Sequence, residues 1–403
     1  MPKHARPSRF RPRRRFRLAV PLFVVALVLG QVAVLTNAPL RSTLRDSFRG
    51  GRIGAAPVPV PPGGTDPTGT DPTGTAAGER VARPGTPPPS GTHANETCTV
   101  GAKLVPTCHV LWGAAAGGFG RVPRDEAVRD WEAASGRPTS IYHAYHRGDE
   151  PFPTPAEVAM AHDPDHPRLL LMNWRVDVGT TWARVAGGAV DARIDREAQR
   201  LRAFGEPFFL ALHHEPENDV NPRAGSGYTA KDFAAMYRHV ILRLRAAGVG
   251  NAVTVVAYMN YERWFAEPWW TDLYPGDDVV DWIGLDSYLD AQPGGFHSGD
   301  FAAMVDRKVG DRFPGFYTWA TTRRPQKPLM LAEWGVYGRS ASKPQVFATV
   351  LPALAKLPAI KAMVYFDTAH DQAGRDIRID SSPAALAEFQ QLAANPLFDV
   401  RLR

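Results

Sequence analysis

The sequence predicts a (β/α)8 TIM barrel, and three observations indicate this fold class. From residue 98 to residue 403, eight short apolar runs alternate with segments of helical periodicity, as they do in such a barrel. The runs are nearly continuous in Val, Leu, Ile and aromatic residues, which is typical of strands buried on both faces of a parallel sheet. The segment 98–403, roughly 300 residues long, has the length of one barrel. An open doubly wound sheet is the alternative, but the glycine-rich segment 113–120 lacks the spacing of a phosphate-binding loop.

The element boundaries follow from the apolar runs and from the helical periodicity. The eight predicted strands are Cys108–Gly113, Ser140–Tyr145, Arg168–Trp174, Pro207–Leu212, Ala252–Ala257, Trp282–Leu285, Pro328–Leu331 and Ala362–Phe366. The predicted helices are Pro123–Ala134, Ala192–Phe204, Asp232–Ala247, Lys343–Leu354 and Pro383–Ala394. Apolar residues on these helices recur every three to four positions, as on helices that pack one face against a barrel.

The N-terminal segment differs from the rest of the chain in charge. The 403 residues carry a net charge of +6, but eight of the cations lie in residues 1–17, which hold no acidic residue. The high isoelectric point therefore belongs to this segment and does not indicate a nucleic-acid-binding surface. Residues 18–40 are uncharged, and such a stretch behind a basic cytoplasmic flank predicts a transmembrane signal anchor or a signal peptide.

Residues 41–97 are predicted to form a disordered linker that holds the barrel, residues 98–403, outside the membrane. Ten prolines and nine glycines fall between residues 51 and 91, and a segment with so few apolar side chains cannot offset the entropy of ordering. The expected location is extracellular, either membrane-anchored or secreted. Cys98 and Cys108 are the only two cysteines, and such a pair in an exported chain is predicted to form a disulfide bond.

Two of the predicted strands end in carboxylates. The fourth run leads into Glu215 and the seventh into Glu333, and the ends of parallel barrel strands meet at one mouth. Cleavage of a glycosidic bond needs one protonated carboxyl group to assist the leaving oxygen and one ionised carboxylate to attack or to activate water. The sequence therefore predicts a glycoside hydrolase in which Glu215 and Glu333 are the paired carboxyl groups. Trp174, at the end of the third run, is a candidate platform for a sugar ring.

The globular part, from about residue 104 to residue 396, resembles glycoside hydrolase family 26, whose best-known members are endo-β-1,4-mannanases. Three segments carry the resemblance in order, namely His214-Glu215, the run from Tyr274 to Tyr288, and Ala332-Glu333-Trp334-Gly335. The resemblance implies an endo-acting, retaining enzyme with Glu215 as the acid/base and Glu333 as the nucleophile. It also implies a contact of Tyr288 with the nucleophile and a supporting role for His214. Trp334, like Trp174, is a candidate sugar contact because it stands near a strand end, and Phe366 is a candidate contact at the end of the eighth strand.

The chain departs from the family pattern beside the acid/base and at the end of the eighth strand. Glu215 is followed by Pro-Glu-Asn-Asp, where the family has a variable residue, Asn and Gly and soon afterwards a Trp. Phe366 stands where a Trp is usual. These aromatic residues help to define sugar subsites, so β-mannan is only the first expectation. Mixed-linkage β-glucan, β-xylan and a bacterial exopolysaccharide are the alternative substrates. A catalytically inactive barrel that only binds polysaccharide is the alternative function.

No cofactor and no metal are expected. His213 and His214 are adjacent on a strand and would point to opposite faces, so they do not form a pair of ligands for one ion. Asp281 and Asp286 are expected to be structural, in turn and cap bonds. Glu217 is expected either to bind substrate or to pair with a neighbouring cation. The expected partners are a polysaccharide and, through the N-terminal segment, a membrane, with no nucleic acid and with the chain as a monomer.

Overall fold

The computed structural model of the protein describes residues 97–402. The predicted basic segment 1–17, the uncharged segment 18–40 and all but the last residue of the linker 41–97 lie outside these residues. No helix within residues 97–402 is long and apolar enough to cross a membrane.

Eight parallel strands close into a barrel in chain order, with β1 paired to β8, which confirms the predicted fold class. The strands are β1 (Leu111–Ala116), β2 (Ile141–Arg147), β3 (Leu169–Arg175), β4 (Phe208–Leu212), β5 (Ala252–Met259), β6 (Trp282–Asp290), β7 (Leu329–Tyr337) and β8 (Ile360–Asp367). β6 and β7 continue several residues past their apolar runs, so their polar ends belong to the barrel wall. β1 begins three residues later than predicted, after His109 takes a left-handed φ of +45°.

The helices lie between the strands along the chain. They are α1 (Arg124–Ser135), α2 (Pro155–Ala161), α3 (Trp182–Ala186), α4 (Asp191–Phe204), α5 (Ala230–Ala246), α6 (Glu262–Phe265), α7 (Phe301–Val305), α8 (Phe316–Arg323), α9 (Lys343–Phe347), α10 (Val350–Leu354) and α11 (Pro383–Ala393). Thr154 and Thr229 begin α2 and α5 with capping boxes, which satisfy backbone N–H groups that have no partner inside the helix. The single helix predicted over 343–354 is instead the pair α9 and α10.

The alternation of side chains along β6 and β7 decides which of them enter the barrel. Glu333 and Tyr288 hydrogen-bond to each other inside the mouth, whereas Ser287 donates to the backbone oxygen of Met304 on the helical side. Because successive side chains on a strand point to opposite faces, Asp286 lies on the same inner face as Tyr288.

Cys98 and Cys108 form a disulfide bond, which confirms the predicted pairing. Their Cα atoms are 5.4 Å apart. The backbone N–H of Arg401 donates to the carbonyl of Cys98 (2.8 Å), and Val110 donates to Leu397 (2.9 Å). The disulfide loop therefore joins the start of the barrel to the last residues of the described chain.

Candidate active site

Glu333 lies on β7 at the mouth of the barrel and accepts two hydrogen bonds from tyrosine hydroxyls. Tyr145 on β2 donates to Oε1 at 2.6 Å and Tyr288 on β6 donates to Oε2 at 2.5 Å. Burial raises the pKa of both tyrosines well above the ordinary value, and the charge of Glu333 raises it further. The phenols therefore remain donors, and one of them holds each carboxyl oxygen of Glu333.

The backbone at Gly335 leaves room for this arrangement. A Cβ atom at Gly335 would lie 2.4 Å from Cγ2 of Ile377 and 3.2 Å from Cδ1 of Tyr288. Real Cβ atoms do not approach carbon atoms this closely. Glycine at this position therefore lets the Tyr288 ring reach Glu333.

Glu215 follows β4 and is partly exposed at the mouth. It takes a left-handed φ of +52°, and its backbone N–H donates to the carbonyl of Ala257 at 3.0 Å. Asn218 donates to its Oε2 at 3.0 Å. Burial raises the pKa of Glu215 to about 8, with further contributions from the charges of Glu333 and Glu217. A carboxyl group of this kind holds a proton at neutral pH and can deliver it.

The two adjacent histidines point in different directions, as expected. His214 is directed at Glu333, with its Nε2 3.7 Å from Oε1, and it hydrogen-bonds to Asn173 on β3. Burial lowers the pKa of His214, so the ring is neutral at pH 7. His213 is instead bound between Asp177 at 3.0 Å and Asp219 at 2.8 Å. Burial alone would lower the pKa of His213, but these bonds outweigh it and the pKa is raised.

Asp286 lies beside Glu333 in the barrel and not in a turn or a cap as expected. It is 2% exposed, its Cα pairs with that of Glu333 across β6 and β7, and neither of its carboxyl oxygens has a hydrogen-bond partner among the described residues. Burial raises its pKa well above the ordinary value, as do the charges of Glu333 and Glu215, while the backbone of Glu333 offsets only part of this. The expectation of turn and cap bonds is wrong for both aspartates. Asp281 is structural through contacts with other elements, since it accepts from the N–H of Thr254 on β5 at 3.0 Å and pairs with Lys103 at 2.7 Å.

Glu217 is buried beneath the mouth and does not face the cleft. It accepts hydrogen bonds from the indole N–H of Trp270 at 3.0 Å and from the backbone N–H of Met259 at 3.1 Å. Burial raises its pKa to about 7. Glu217 therefore neither binds substrate nor pairs with a cation, but it holds the segment after Glu215 against the end of β5.

The predicted aromatic residues divide into one at the mouth and two outside it. Phe366 lies 6.2 Å from Tyr288 and 6.5 Å from Tyr145 between ring centroids. Trp174 is 1% exposed and donates to the carbonyl of Gly148 at 3.1 Å, and Trp334 is equally buried. A buried ring cannot stack on a sugar, so the structure contradicts a substrate contact for both tryptophans.

Strand alternation explains this correction. Asn173 and Glu333 point into the barrel, so their immediate successors Trp174 and Trp334 point out toward the helices. Trp334 packs there against Tyr365, with ring centroids 4.8 Å apart. The sequence reasoning gave no role to Asn173 and counted Tyr145 only among aromatic residues near strand ends. Period-two spacing from an inward residue was the signal that could have found Asn173.

One group of side chains at the mouth has the spacing of possible metal ligands. Ligand atoms of His214, Asp286 and Glu333 all lie within 4.8 Å of one another. Both oxygens of Glu333 already accept tyrosine hydroxyls, an arrangement that orients a nucleophile. A second group, Cys98, Cys108 and His109, lacks thiolate donors because the two cysteines are joined in a disulfide.

Comparison with curated proteins finds glycoside hydrolases. The chain is 25% identical over 280 residues to Endoglucanase H of Acetivibrio thermocellus, an alignment that covers 68% of this chain and 29% of that protein. It is 33% identical over 112 residues to a β-1,3-xylanase of Vibrio sp., covering 27% of this chain and 22% of that protein. The chain thus spans less than a third of the length of these relatives. No protein-family model matches it.

Comparison with solved structures finds family 26 enzymes. A modular endo-β-1,4-mannanase from Cellulomonas fimi superposes with a TM-score of 0.50 and 19% identity, over 73% of this chain and 72% of that one. A family 26 β-mannanase from Bacteroides ovatus gives a TM-score of 0.50 and 16% identity, over 73% and 91%. At these identities the likeness is one of fold. It confirms the resemblance to glycoside hydrolase family 26.

Proposed function

We propose that this protein is a retaining glycoside hydrolase that cleaves a β-linked polysaccharide, with Glu333 as the nucleophile and Glu215 as the acid/base. The main support for this proposal is that the two carboxyl groups at the barrel mouth have different hydrogen-bond partners and different pKa shifts. Glu333 accepts one tyrosine hydroxyl on each oxygen, which orients its carboxyl group for attack, whereas the pKa of Glu215 is raised to about 8. One attacking carboxylate and one protonated acid are the pair that the reaction needs.

The reaction proceeds in two displacements at the anomeric carbon. In the first, an oxygen of Glu333 forms a bond to this carbon, the glycosidic C–O bond breaks, and the proton of Glu215 moves to the departing oxygen. In the second, Glu215 takes a proton from water, the water oxygen attacks the anomeric carbon, and the ester bond to Glu333 breaks. The two inversions return the anomeric centre to its original configuration.

The supporting residues act through the two glutamates. Tyr145 and Tyr288 fix the orientation of the Glu333 carboxylate through one hydrogen bond to each oxygen. Asn218 orients Glu215. Asp286 lies beside the nucleophile across β6 and β7, and burial together with the charges of Glu333 and Glu215 raises its pKa.

The substrate assignment has β-mannan as its first candidate. The names of the relatives span an endoglucanase, a β-1,3-xylanase and endo-β-1,4-mannanases, and Phe366 replaces the tryptophan usual in family 26. The panel to be tested therefore contains β-1,4-mannan, mixed-linkage β-glucan, β-1,4-xylan and β-1,3-xylan.

The test compares reducing-sugar release by the wild type, Glu215→Ala and Glu333→Ala on this panel. Glu126→Ala, on the exposed face of α1, is the matched control and should keep full activity. Glu333→Ala should be almost inert, with azide giving a glycosyl azide of inverted configuration. Glu215→Ala should keep activity on aryl glycosides whose leaving group needs no proton, with azide giving the retained product.

Two results would contradict the proposal. Inversion of the anomeric centre in the first-formed product, observed by NMR, would remove Glu333 as the nucleophile. Binding of a polymer without any release of reducing sugar would identify the catalytically inactive barrel instead.

An extracellular location belongs to the same proposal and rests on the uncharged segment 18–40 behind its basic flank. Protease added to intact cells should release a soluble fragment that begins in the linker. A barrel that stays protected inside the cell would refute this part.

A further inference from the structure

Two aromatic side chains are exposed in the described part of the chain, and both lie in loops that follow strand ends at the catalytic face. Phe119, 50% exposed, lies between β1 and α1, and Phe296, 64% exposed, lies between β6 and α7. Exposed aromatic rings beside an active site mark contact surfaces. Phe119 can be connected to the nucleophile through a chain of ring contacts.

The loop that carries Phe119 is fastened to the end of β8. The N–H of Gly118 donates to the carbonyl of Asp367 at 3.2 Å, and the hydroxyl of Thr368 donates to the carbonyl of Gly118. A Cβ atom at Gly118 would lie 2.6 Å from Cζ of Phe366, so glycine lets the loop rest on that ring. Phe119 itself takes a left-handed φ of +56°, a costly conformation for an aromatic residue that tends to occur at functional sites.

The exposed ring continues the aromatic wall of the active site. Phe119 meets Phe366 edge-on with ring centroids 6.2 Å apart. Phe366 in turn contacts Tyr145 and Tyr288, the two donors to Glu333. Ring contacts therefore connect the two tyrosines that hold Glu333, through Phe366, to the exposed ring of Phe119.

The position of Phe119 in the barrel decides which part of the substrate passes over it. Glu215 follows β4, and β8 is four strands away in a closed barrel of eight, so Phe366 lies across the mouth from the acid. The acid must stand beside the leaving oxygen. The sugars that leave therefore lie toward β4, and the sugars that stay attached to the nucleophile extend toward β8 and β1.

We propose that Phe119 is a stacking platform for a sugar ring on the non-leaving side of the scissile bond, beyond the sugar that reacts with Glu333. The ligand class is a β-linked pyranose whose ring C–H groups form an apolar face, which packs on an aromatic ring while its hydroxyls stay in water. The assignment rests on the proposed glycosidase function, and it gives the enzyme a preference for chains over single sugars.

The first experiment measures binding, using full-length protein with Glu333→Ala as the background so that the polymer stays intact. Native gels contain β-1,4-mannan, mixed-linkage β-glucan, β-1,4-xylan or β-1,3-xylan. Adding Phe119→Ala should weaken binding of the recognised polymer about tenfold, while Phe119→Trp should preserve it. Val122→Ala is the matched control, since Val122 is 49% exposed in the same loop, and should change binding less than about twofold. Equal retention of the Phe119→Ala protein and its parent, or no retention of the parent by any polymer, would overturn the assignment.

The second experiment measures cleavage of aryl β-glycosides with one, two and three sugars on the non-leaving side. Phe119→Ala should leave kcat/KM for the one-sugar substrate unchanged and lower it about tenfold for the longer substrates. An equal loss at every length would point to damage of the catalytic site and contradict a platform. If the wild type cleaves none of them but loses polymer binding on Phe119→Ala, the proposed glycosidase function fails while the binding role of Phe119 stands.

Discussion

Raising the pH tests the acid role of Glu215 most directly. Burial and the neighbouring carboxylates raise the pKa of Glu215 to about 8, and the first displacement needs its protonated form. The group is therefore competent below pH 8 and loses its proton as the pH rises through that value. Activity on a natural glycosidic bond should fall over the same interval.

The magnitude follows from the position of the pKa. With a pKa of about 8 for Glu215, about nine-tenths of the molecules carry the proton at pH 7 and about one-tenth at pH 9. The value of kcat/KM reports the free enzyme, so it should fall about tenfold between these two pH values on an oligosaccharide.

A second substrate provides the control within the same enzyme. A 2,4-dinitrophenyl glycoside releases a phenolate that needs no proton, so its kcat/KM should stay nearly flat from pH 7 to pH 9. Glu217→Gln should move the fall on the oligosaccharide to lower pH, because Glu217, with a pKa of about 7, is charged at pH 8 and raises the pKa of Glu215. An equal fall with both substrates, or a flat profile with both, would refute the reasoning.

Three further predictions follow from single contacts. Tyr288→Phe removes one donor to Glu333 and should lower kcat by about 10-fold or more with little change in KM. The reason is that a hydrogen bond to a charged group contributes roughly 1.5–3 kcal/mol. An unchanged kcat would show that this bond does not orient the nucleophile. Gly335→Ala would place a Cβ against the Tyr288 ring and should lower kcat at least as much as Tyr288→Phe in the same assay, so a fully active variant would contradict the close packing. Replacing Cys98 and Cys108 by serine opens the loop between two residues 10 positions apart. This should lower the free energy of unfolding, measured by urea denaturation, by about 3 kcal/mol. Alkylation of the unreduced wild type should leave both cysteines unmodified.

The fold and the presence of two glutamates at the ends of its strands could be predicted from local pattern. Strands buried on both faces read as apolar runs because no residue in them faces water. A carboxylate at the end of such a run, as at Glu215 and Glu333, contrasts with everything before it. Parallel barrel strands bring their ends to one mouth whatever the loops do, so sequence alone could bring two residues 118 positions apart together.

Which side chains line the barrel mouth could be decided only from the tertiary structure. Trp174 and Trp334 looked like sugar contacts because they stand at strand ends, yet each lies one residue after an inward side chain and is turned toward the helices. A shift of one position moves a side chain to the other face of the strand. In a run that is apolar on both faces, the sequence does not show which residues point into the barrel and which point toward the helices.

The environment of each carboxyl group also required the tertiary structure. Asp286 follows an apolar run much as Glu333 does, but Glu333 meets hydroxyls from β2 and β6 while Asp286 meets none. Tyr145 reaches Glu333 across 188 positions of the sequence. The sequence by itself determined the barrel and the residue types at its mouth. Only the closed barrel decided which carboxyl group is protonated, because desolvation and charge–charge interaction depend on the distances between side chains from several strands at once.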